Sequence, residues 1–342
     1  MKRNYRFIFI FLFLFGFLFF NASKTLAGVD GSGNNFMLKP SMPFGYTPPG
    51  KFWSPDFFTF QTWNHTFDNN GHVVPTSPKF GPFSITKEIF LAEAIWTFKF
   101  LDLDNYFQVV VPAGSVSQNI TNTLALTKDG AFSNSTTGMG DTLLYYGIYA
   151  YHGTSGILSY NIFPEISVTV PDGNWNSNSP VNIGGDEWQI QPTLTGQFAV
   201  KIVGKQSIVL NYALGWSKNE GHSSINMGSL AVGNPSYTQP GNNIFADFYL
   251  DYVISPKLYI YNETAYTRQY DNYGYTNSTP TSTTITPSYG LLNKGYQDIA
   301  TGGGLAYHYS PKLLLDGRVL KDIHGENGPD GWYGMVDAVF FF

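Results

Sequence analysis

The first places in this sequence where side chains could do chemistry are an adjacent acid pair, Asp186-Glu187, and the run Gly138-Met139-Gly140-Asp141. Neighbours in an extended chain point to opposite faces, so Asp186 and Glu187 cannot act together as acid and base. The glycine run lacks a following Lys-Ser/Thr and a helix, which a phosphate cradle needs. Two readings of it stay open. Asp141 is a functional carboxylate at the mouth of a cavity, or it accepts backbone N–H bonds in a tight loop-to-strand turn. The histidines His65, His72, His152, His222, His308 and His324 show no pair at metal-ligand spacing, and there is no cysteine. No metal and no cofactor are therefore expected. A serine hydrolase on the outside of a barrel would need Ser and His on one face within hydrogen-bond reach. His308 instead shares parity with Ala300, Gly302 and Gly304, with no serine partner on the opposite face. No catalytic residue is assigned, and the chain is not read as an enzyme.

What remains is a set of acids and amides that recur at every second position, the spacing of a strand with two unlike faces. In 186–200 one face carries Glu187, Gln189, Gln191, Thr193, Thr195 and Gln197; the other carries Trp188, Ile190, Pro192, Leu194, Phe198 and Val200. In 157–170 Asn161, Glu165, Ser167 and Thr169 oppose Tyr160, Ile162, Ile166, Val168 and Val170. Asp247 and Asp251 share a face, as do Asp316 and Arg318. Two strands conflict: Glu88 with Glu93, and Glu263 with Arg268, have opposite parity, which places one member above the apolar band or implies a bulge. The candidate lining of an interior is Glu93, Asp141, Glu165, Glu187, Gln189, Gln191, Asp247, Asp251, Asp316, Arg318 and Asp337, with Lys99 and Arg318 as counter-charges. The other reading of these residues is mutual hydrogen bonding that fills and stiffens the structure.

Strands must position such residues. The last one, Gly331 to Phe342, places Trp332, Val336, Ala338, Phe340 and Phe342 on one face and Tyr333, Met335 and Asp337 on the other. Its length suits a tilted membrane-crossing strand of about 10 residues. A strand that ends the chain on Phe resembles the closing strand of bacterial outer-membrane barrels, which implies a partner in the barrel assembly machinery that reads Phe342. Twelve strands are expected at about 57–67, 86–101, 105–113, 140–151, 157–170, 186–200, 207–217, 243–254, 258–270, 297–308, 312–322 and 332–342. Their connections alternate. Long ones cover 68–85, 114–139, 171–185, 218–242, 271–296 and 323–331; short ones centre on Asp102-Asn105, His152-Gly156, Val203-Lys205, Ser255-Pro256 and Ser310-Pro311. Long loops on one side and short turns on the other is the outer-membrane pattern, with the turns and both termini periplasmic.

Composition agrees. Charged residues are 13% and aromatics 17% of the chain; soluble domains carry roughly 25% charge. No apolar run after the leader is long enough for a membrane helix. The leader itself has Lys2, Arg3 and Arg6 before the apolar run Phe7 to Phe20, then small residues to Ala27, the build of a secretory signal peptide. Without a cysteine a lipid-anchored form is excluded. Removing residues 1–27 takes four of the 19 basic residues and moves the formal charge from −5 to −9, so no nucleic-acid partner is expected. Residues 28–56 hold Pro40, Pro43, Pro48, Pro49 and Pro55 and read as an irregular arm, periplasmic or tucked inside as a plug.

Thr137 to Tyr146, with its Gly138-Met139-Gly140-Asp141 strand start, resembles the outer-membrane family named for the meta-pathway of phenol degradation. Pro164 to Gly173, an apolar strand closing on Pro171-Asp172-Gly173, and Val181 to Trp188 with Pro192 carry the resemblance further, through residue 200. The strand at 258–270 departs from it, reading Tyr261-Asn262-Glu263-Thr264 where a glycine-rich aromatic run is expected. The resemblance implies an outer-membrane channel for small hydrophobic or aromatic compounds.

The expectation is thus an all-β transmembrane antiparallel barrel over 57–342, in contact with outer-membrane lipid and passing small apolar or aromatic solutes. The competing expectation is a non-transporting barrel whose long loops bind a partner or host surface.

Overall fold

A computed structural model describes residues 47–74, 83–121, 131–175, 182–185, 187–204, 206–219, 222–223, 237–239, 241–270, 272–276, 288–293 and 295–342. The leader, residues 28–46 of the arm, and Asp186 lie outside the described residues. Twelve wall strands run antiparallel to their neighbours. They are β1 Phe52–Phe67, β2 Phe83–Phe100, β3 Leu103–Thr121, β4 in the three segments Ala131–Met139, Thr142–Ile148 and Tyr151–Ser155, β5 Leu158–Val170 and β6 Gln189–Lys201. There follow β7 Ser207–Asn219, β8 Asn243–Ser255, β9 Leu258–Gln269, β10 Tyr296–Ser310, β11 Leu313–Glu326 and β12 Pro329–Phe341.

Each strand pairs with its neighbours in sequence, and β12 closes on β1 from Trp53 opposite Phe341 to Thr66 opposite Pro329. Closure matters because an unpaired edge in hydrocarbon leaves each backbone polar group unsatisfied, at several kcal/mol apiece. The alternation then sorts the faces. Phe58 sits in register between Val336 and Phe90, and the three are 47%, 65% and 46% exposed. Their in-register neighbours Phe57, Leu91 and Asp337 are buried. Large apolar side chains are exposed on every flank, as in the row Phe198, Leu210 and Leu250. A belt of that kind is covered by lipid.

Both parity conflicts resolve without a bulge. Pairing of β2 with β3 is unbroken from Phe83 to Phe100, so Glu93 points in and Glu88 stands exposed outside, toward the long-loop end. Pairing of β8 with β9 is likewise regular from Asn243 to Val253. Glu263 is buried and Arg268 exposed, its guanidinium 5.3 Å from the Tyr270 ring. The outer face of β9 is more polar than expected, and its polar groups meet one another: Asn262 donates to the Gly302 carbonyl at 2.5 Å, and the Thr264 and Thr301 hydroxyls lie 3.0 Å apart.

The wall begins earlier than the sequence suggests. Residues 52–56 belong to β1, not to an arm ending at 56. Pro55 has no N–H to give, yet the ladder survives because Ser54 Oγ donates to the Glu93 carbonyl at 2.6 Å. The expected long connection at 323–331 is also replaced: β11 and β12 continue past the apolar belt and join through Asn327-Gly328 alone. Asn327 has φ 53°, a left-handed conformation that asparagine adopts more readily than most residues, and its N–H donates to the Asp68 carbonyl at 3.3 Å. The expected loop 114–139 is largely ladder too, since Ala113 to Thr121 pair with Ala131 to Met139. Finally, short strands from two long loops, His222–Ser223, Tyr237–Gln239, Asn272–Thr276 and Ser288–Asn293, form a separate four-stranded sheet. The five turns at the other end, the last at Pro311-Lys312, are short, as expected.

Candidate functional site

Alternate residues of the twelve strands turn their side chains into the barrel, and there the polar ones assemble into four groups. The largest centres on Arg318 of β11. Its guanidinium reaches across β10 to Glu263 of β9 at 3.0 Å and one strand further to the Tyr249 hydroxyl of β8, also at 3.0 Å. It lies 3.6 Å from the Met335 sulfur and over the Tyr249 ring. Both charged partners are almost wholly buried, where a bare charge is costly and a paired, hydrogen-bonded one is tolerated. Asp247, Asp251, Asp316 and Asp337 are buried in the same region. Tyr261 donates to Asp316 at 2.7 Å, and Asn211 donates to Asp251 at 2.7 Å.

A second group lies on the opposite flank. Tyr106 of β3 hydrogen-bonds Glu165 of β5, and Gln108 donates to Glu93 at 2.5 Å. The Tyr106, Tyr149 and Phe163 rings pack with centroids 5.3 to 5.8 Å apart. Gly147 makes this possible: a Cβ there would stand 2.0 Å from the Tyr106 ring. Tyr145 and Tyr149 are thus interior residues; they share the inward parity of Leu143. Tyr259 likewise has the inward parity of Tyr261.

The third group is a chain of amides on β6 and β7. Gln189 donates to Asn219 at 2.6 Å, and Gln197 to Asn211 at 2.8 Å. Glu187 and Gln191 are buried on the same side. The fourth group, toward the long-loop end, sets Asp298 against Asp322. Asp322 accepts from the Gly331 N–H at 2.7 Å and from the Tyr333 hydroxyl at 2.9 Å, and Tyr333 accepts from Trp63 at 3.1 Å.

Ten of the eleven residues proposed as lining are therefore buried along the wall strands and the segment leading into β6. Asp141 is placed differently. Its carboxylate accepts from the Gly173 N–H at 2.9 Å and the Gly185 N–H at 2.6 Å. Around it Asp172 accepts from the Thr142 N–H and hydroxyl, both at 2.8 Å, and Asn174 bonds the Met139 backbone in both directions. Gly140 donates to the Pro112 carbonyl at 2.9 Å. A Cβ on Gly173 would stand 2.6 Å from Asp141 Oδ1. So Gly138, Gly140, Asp141, Pro171 and Gly173 lie together in a clasp that ties the loop after β5 to a bulge in β4. There β4 takes four steps, Met139 to Leu143, against three in β3.

Lys99 is not a counter-charge for the interior. It stands exposed beside the first short turn, directly across from Asp104. The sequence reading missed Asp298 and Asp322 as interior acids and Glu263 as the partner of Arg318. For Asp298 the signal was present, since it shares parity with Ala300 and Gly302. For Glu263 it was not, because its cation sits two strands away.

Comparison with curated proteins gives no match. Among solved structures, the crystal structure of an outer membrane channel from Pseudomonas putida F1 aligns with TM-score 0.68 at 16% identity, over 89% of this chain and 99% of that one. At that identity the likeness shows a shared fold. A deletion mutant of the monoaromatic hydrocarbon channel TodX aligns over 86% of this chain and 90% of that one, but with TM-score 0.41 and 10% identity, too slight to bear on function. Residues 64–337 match one protein family over most of the barrel. The chain is a bacterial outer-membrane β-barrel and belongs to the family described as "Putative MetA-pathway of phenol degradation".

Proposed function

We propose that this barrel is an outer-membrane channel for small hydrophobic or aromatic compounds, working by passive or facilitated diffusion. The observation that carries the reading is the interior itself. It mixes tyrosine and phenylalanine rings with carboxylates and amides in a closed wall of twelve strands. Twelve strands enclose less than the water-filled lumen of a sixteen-stranded porin. A planar solute of arene size can slide past rings by rotamer changes, while a large hydrated one cannot. Family membership and the channel from Pseudomonas putida F1 that shares the fold support the same reading. No catalytic role is assigned to the interior carboxylates. They sit among amides and tyrosines that hydrogen-bond several of them.

Three parts of the reading concern the ends of the chain. Residues 1–27 act as a signal peptide, residues 28–51 as an arm in the periplasm or lumen, and Phe342 as the residue the barrel assembly machinery reads. Deleting Phe342 lowers the amount of folded barrel in the outer membrane, measured as the heat-modifiable band.

The channel reading is tested in planar bilayers and proteoliposomes. The purified barrel gives small, discrete ion conductance and admits arene-sized solutes that oligosaccharides do not follow. A barrel that conducts no ions and passes no solute contradicts it. The four-stranded sheet built from two long loops favours the second reading in that case: a non-transporting barrel whose loops bind a partner.

A further inference from the structure

Near the short-turn end of the interior, three acids from three strands converge. Asp316 of β11 and Asp337 of β12 are direct register partners. Asp251 of β8 is close enough to Asp316 for their charges to interact. They are 4%, 1% and 5% exposed, respectively. Like charges directly opposite on paired strands repel, and low-dielectric surroundings sharpen the repulsion. Two of the three have partial relief, Asp316 from Tyr261 and Asp251 from Asn211. Asp337 has no hydrogen-bond donor on either carboxylate oxygen, and only the charge of Arg318 offsets the repulsion there. The nearest cation, Arg318, is held by Glu263, Tyr249 and Met335.

Rings complete the enclosure. Tyr259 lies within the electrostatic reach of all three acids, its ring 6.5 Å from that of Tyr261, which is 6.1 Å from Tyr249. The Tyr259 hydroxyl also has no hydrogen-bond partner. Tyrosine faces attract cations, and organic ammonium groups most usefully. Among the described residues no three His, Asp or Glu side chains are grouped to ligate a metal ion.

We infer that this cluster selects solutes by charge: it favours an aromatic solute bearing an ammonium group and repels one bearing an anionic group. Asp337 is the principal specificity residue, with Asp316 and Asp251 behind it and Tyr259 as the ring face. The inference rests on the channel reading above and names the solute class that the same interior prefers. An anion here faces the carboxyl groups of Asp316, Asp337 and Asp251, while the Arg318 guanidinium is already engaged by Glu263 and Tyr249.

The test uses proteoliposomes containing the full mature chain, with benzyltrimethylammonium and benzenesulfonate as probes. Both are permanently charged and do not cross the bilayer unaided. The wild-type barrel passes the cation faster by about tenfold or more, as buried like charges impose on the anion. Asp337→Asn lowers that ratio several-fold, and Tyr259→Leu lowers it less. The wild-type ratio alone decides the matter if a variant does not fold. Equal rates for the two ions, both above protein-free vesicles, overturn the inference while leaving the channel reading intact. So does passage of a neutral solute with neither ion moving, or an unchanged ratio in a folded Asp337→Asn barrel. Passage of no solute at all overturns the channel reading and this inference with it.

Discussion

Arg318 holds two strands together that do not touch in the ladder, and this makes it the residue whose loss is easiest to read. Truncating it leaves Glu263 buried without its cation, which costs about 3–5 kcal/mol. Arg318→Met therefore shifts urea unfolding of the reconstituted barrel to lower denaturant. Adding Glu263→Gln restores a large part of the loss, since the orphaned charge is then gone. A double-mutant cycle that shows additive losses would contradict the pairing. Gly147 is a second such point. With 2.0 Å between a would-be Cβ and the Tyr106 ring, Gly147→Ala displaces Tyr106 from Glu165 and costs about 1–3 kcal/mol by overpacking. Tyr106→Phe tests the other half, leaving the packing and removing only the hydrogen bond. At this scale the sequence reveals direction but not partnership. Parity alone turns Asp247, Asp251, Asp316 and Arg318 inward. The meeting of Arg318 with Glu263 and Tyr249 depends on curvature and stagger, which no single strand encodes.

Among the elements, β4 departs furthest from a plain strand. Its three segments are separated by the bulge at Gly140-Asp141 and the step at Tyr149-Ala150. The clasp built on Asp141 holds the loop after β5 against that bulge through two backbone N–H donors. Losing a charged acceptor of two N–H groups costs about 1.5–3 kcal/mol. Asp141→Ala accordingly opens the loop after β5 to protease in intact cells while solute passage stays near wild type. A variant that keeps the loop protected but alters passage would instead make Asp141 part of the conducting path. The hairpin at Asn327-Gly328 shows the opposite failure of reading. Its Gly-rich, polar composition suggests a loop, yet β11 stays paired with β10 as far as Glu326 and β12 with β1 from Pro329, so two residues are left to join them. Pro55 misled in the same way: proline disfavours a ladder, but a neighbouring serine hydroxyl replaces the missing donor.

For the whole molecule, the belt of exposed apolar side chains and the closed ladder make one statement: lipid is the outer solvent. Most of this was legible in alternation, low charge and the spacing of turns. The four-stranded sheet formed from the long loops was not, because its strands are only two to six residues long, too short to show a period. A charge on the belt tests the claim about lipid. Val336 is 65% exposed, and Val336→Arg costs about 2–4 kcal/mol if it lies near mid-depth. The same change on a water-facing strand would be nearly silent in an unfolding titration. The most direct measurement of the central claim is uptake of a neutral aromatic solute by cells whose outer membrane carries lipopolysaccharide, with and without this barrel. The account predicts initial uptake several-fold faster when the barrel is present and folded. Equal uptake, at matched levels of folded protein, would contradict it.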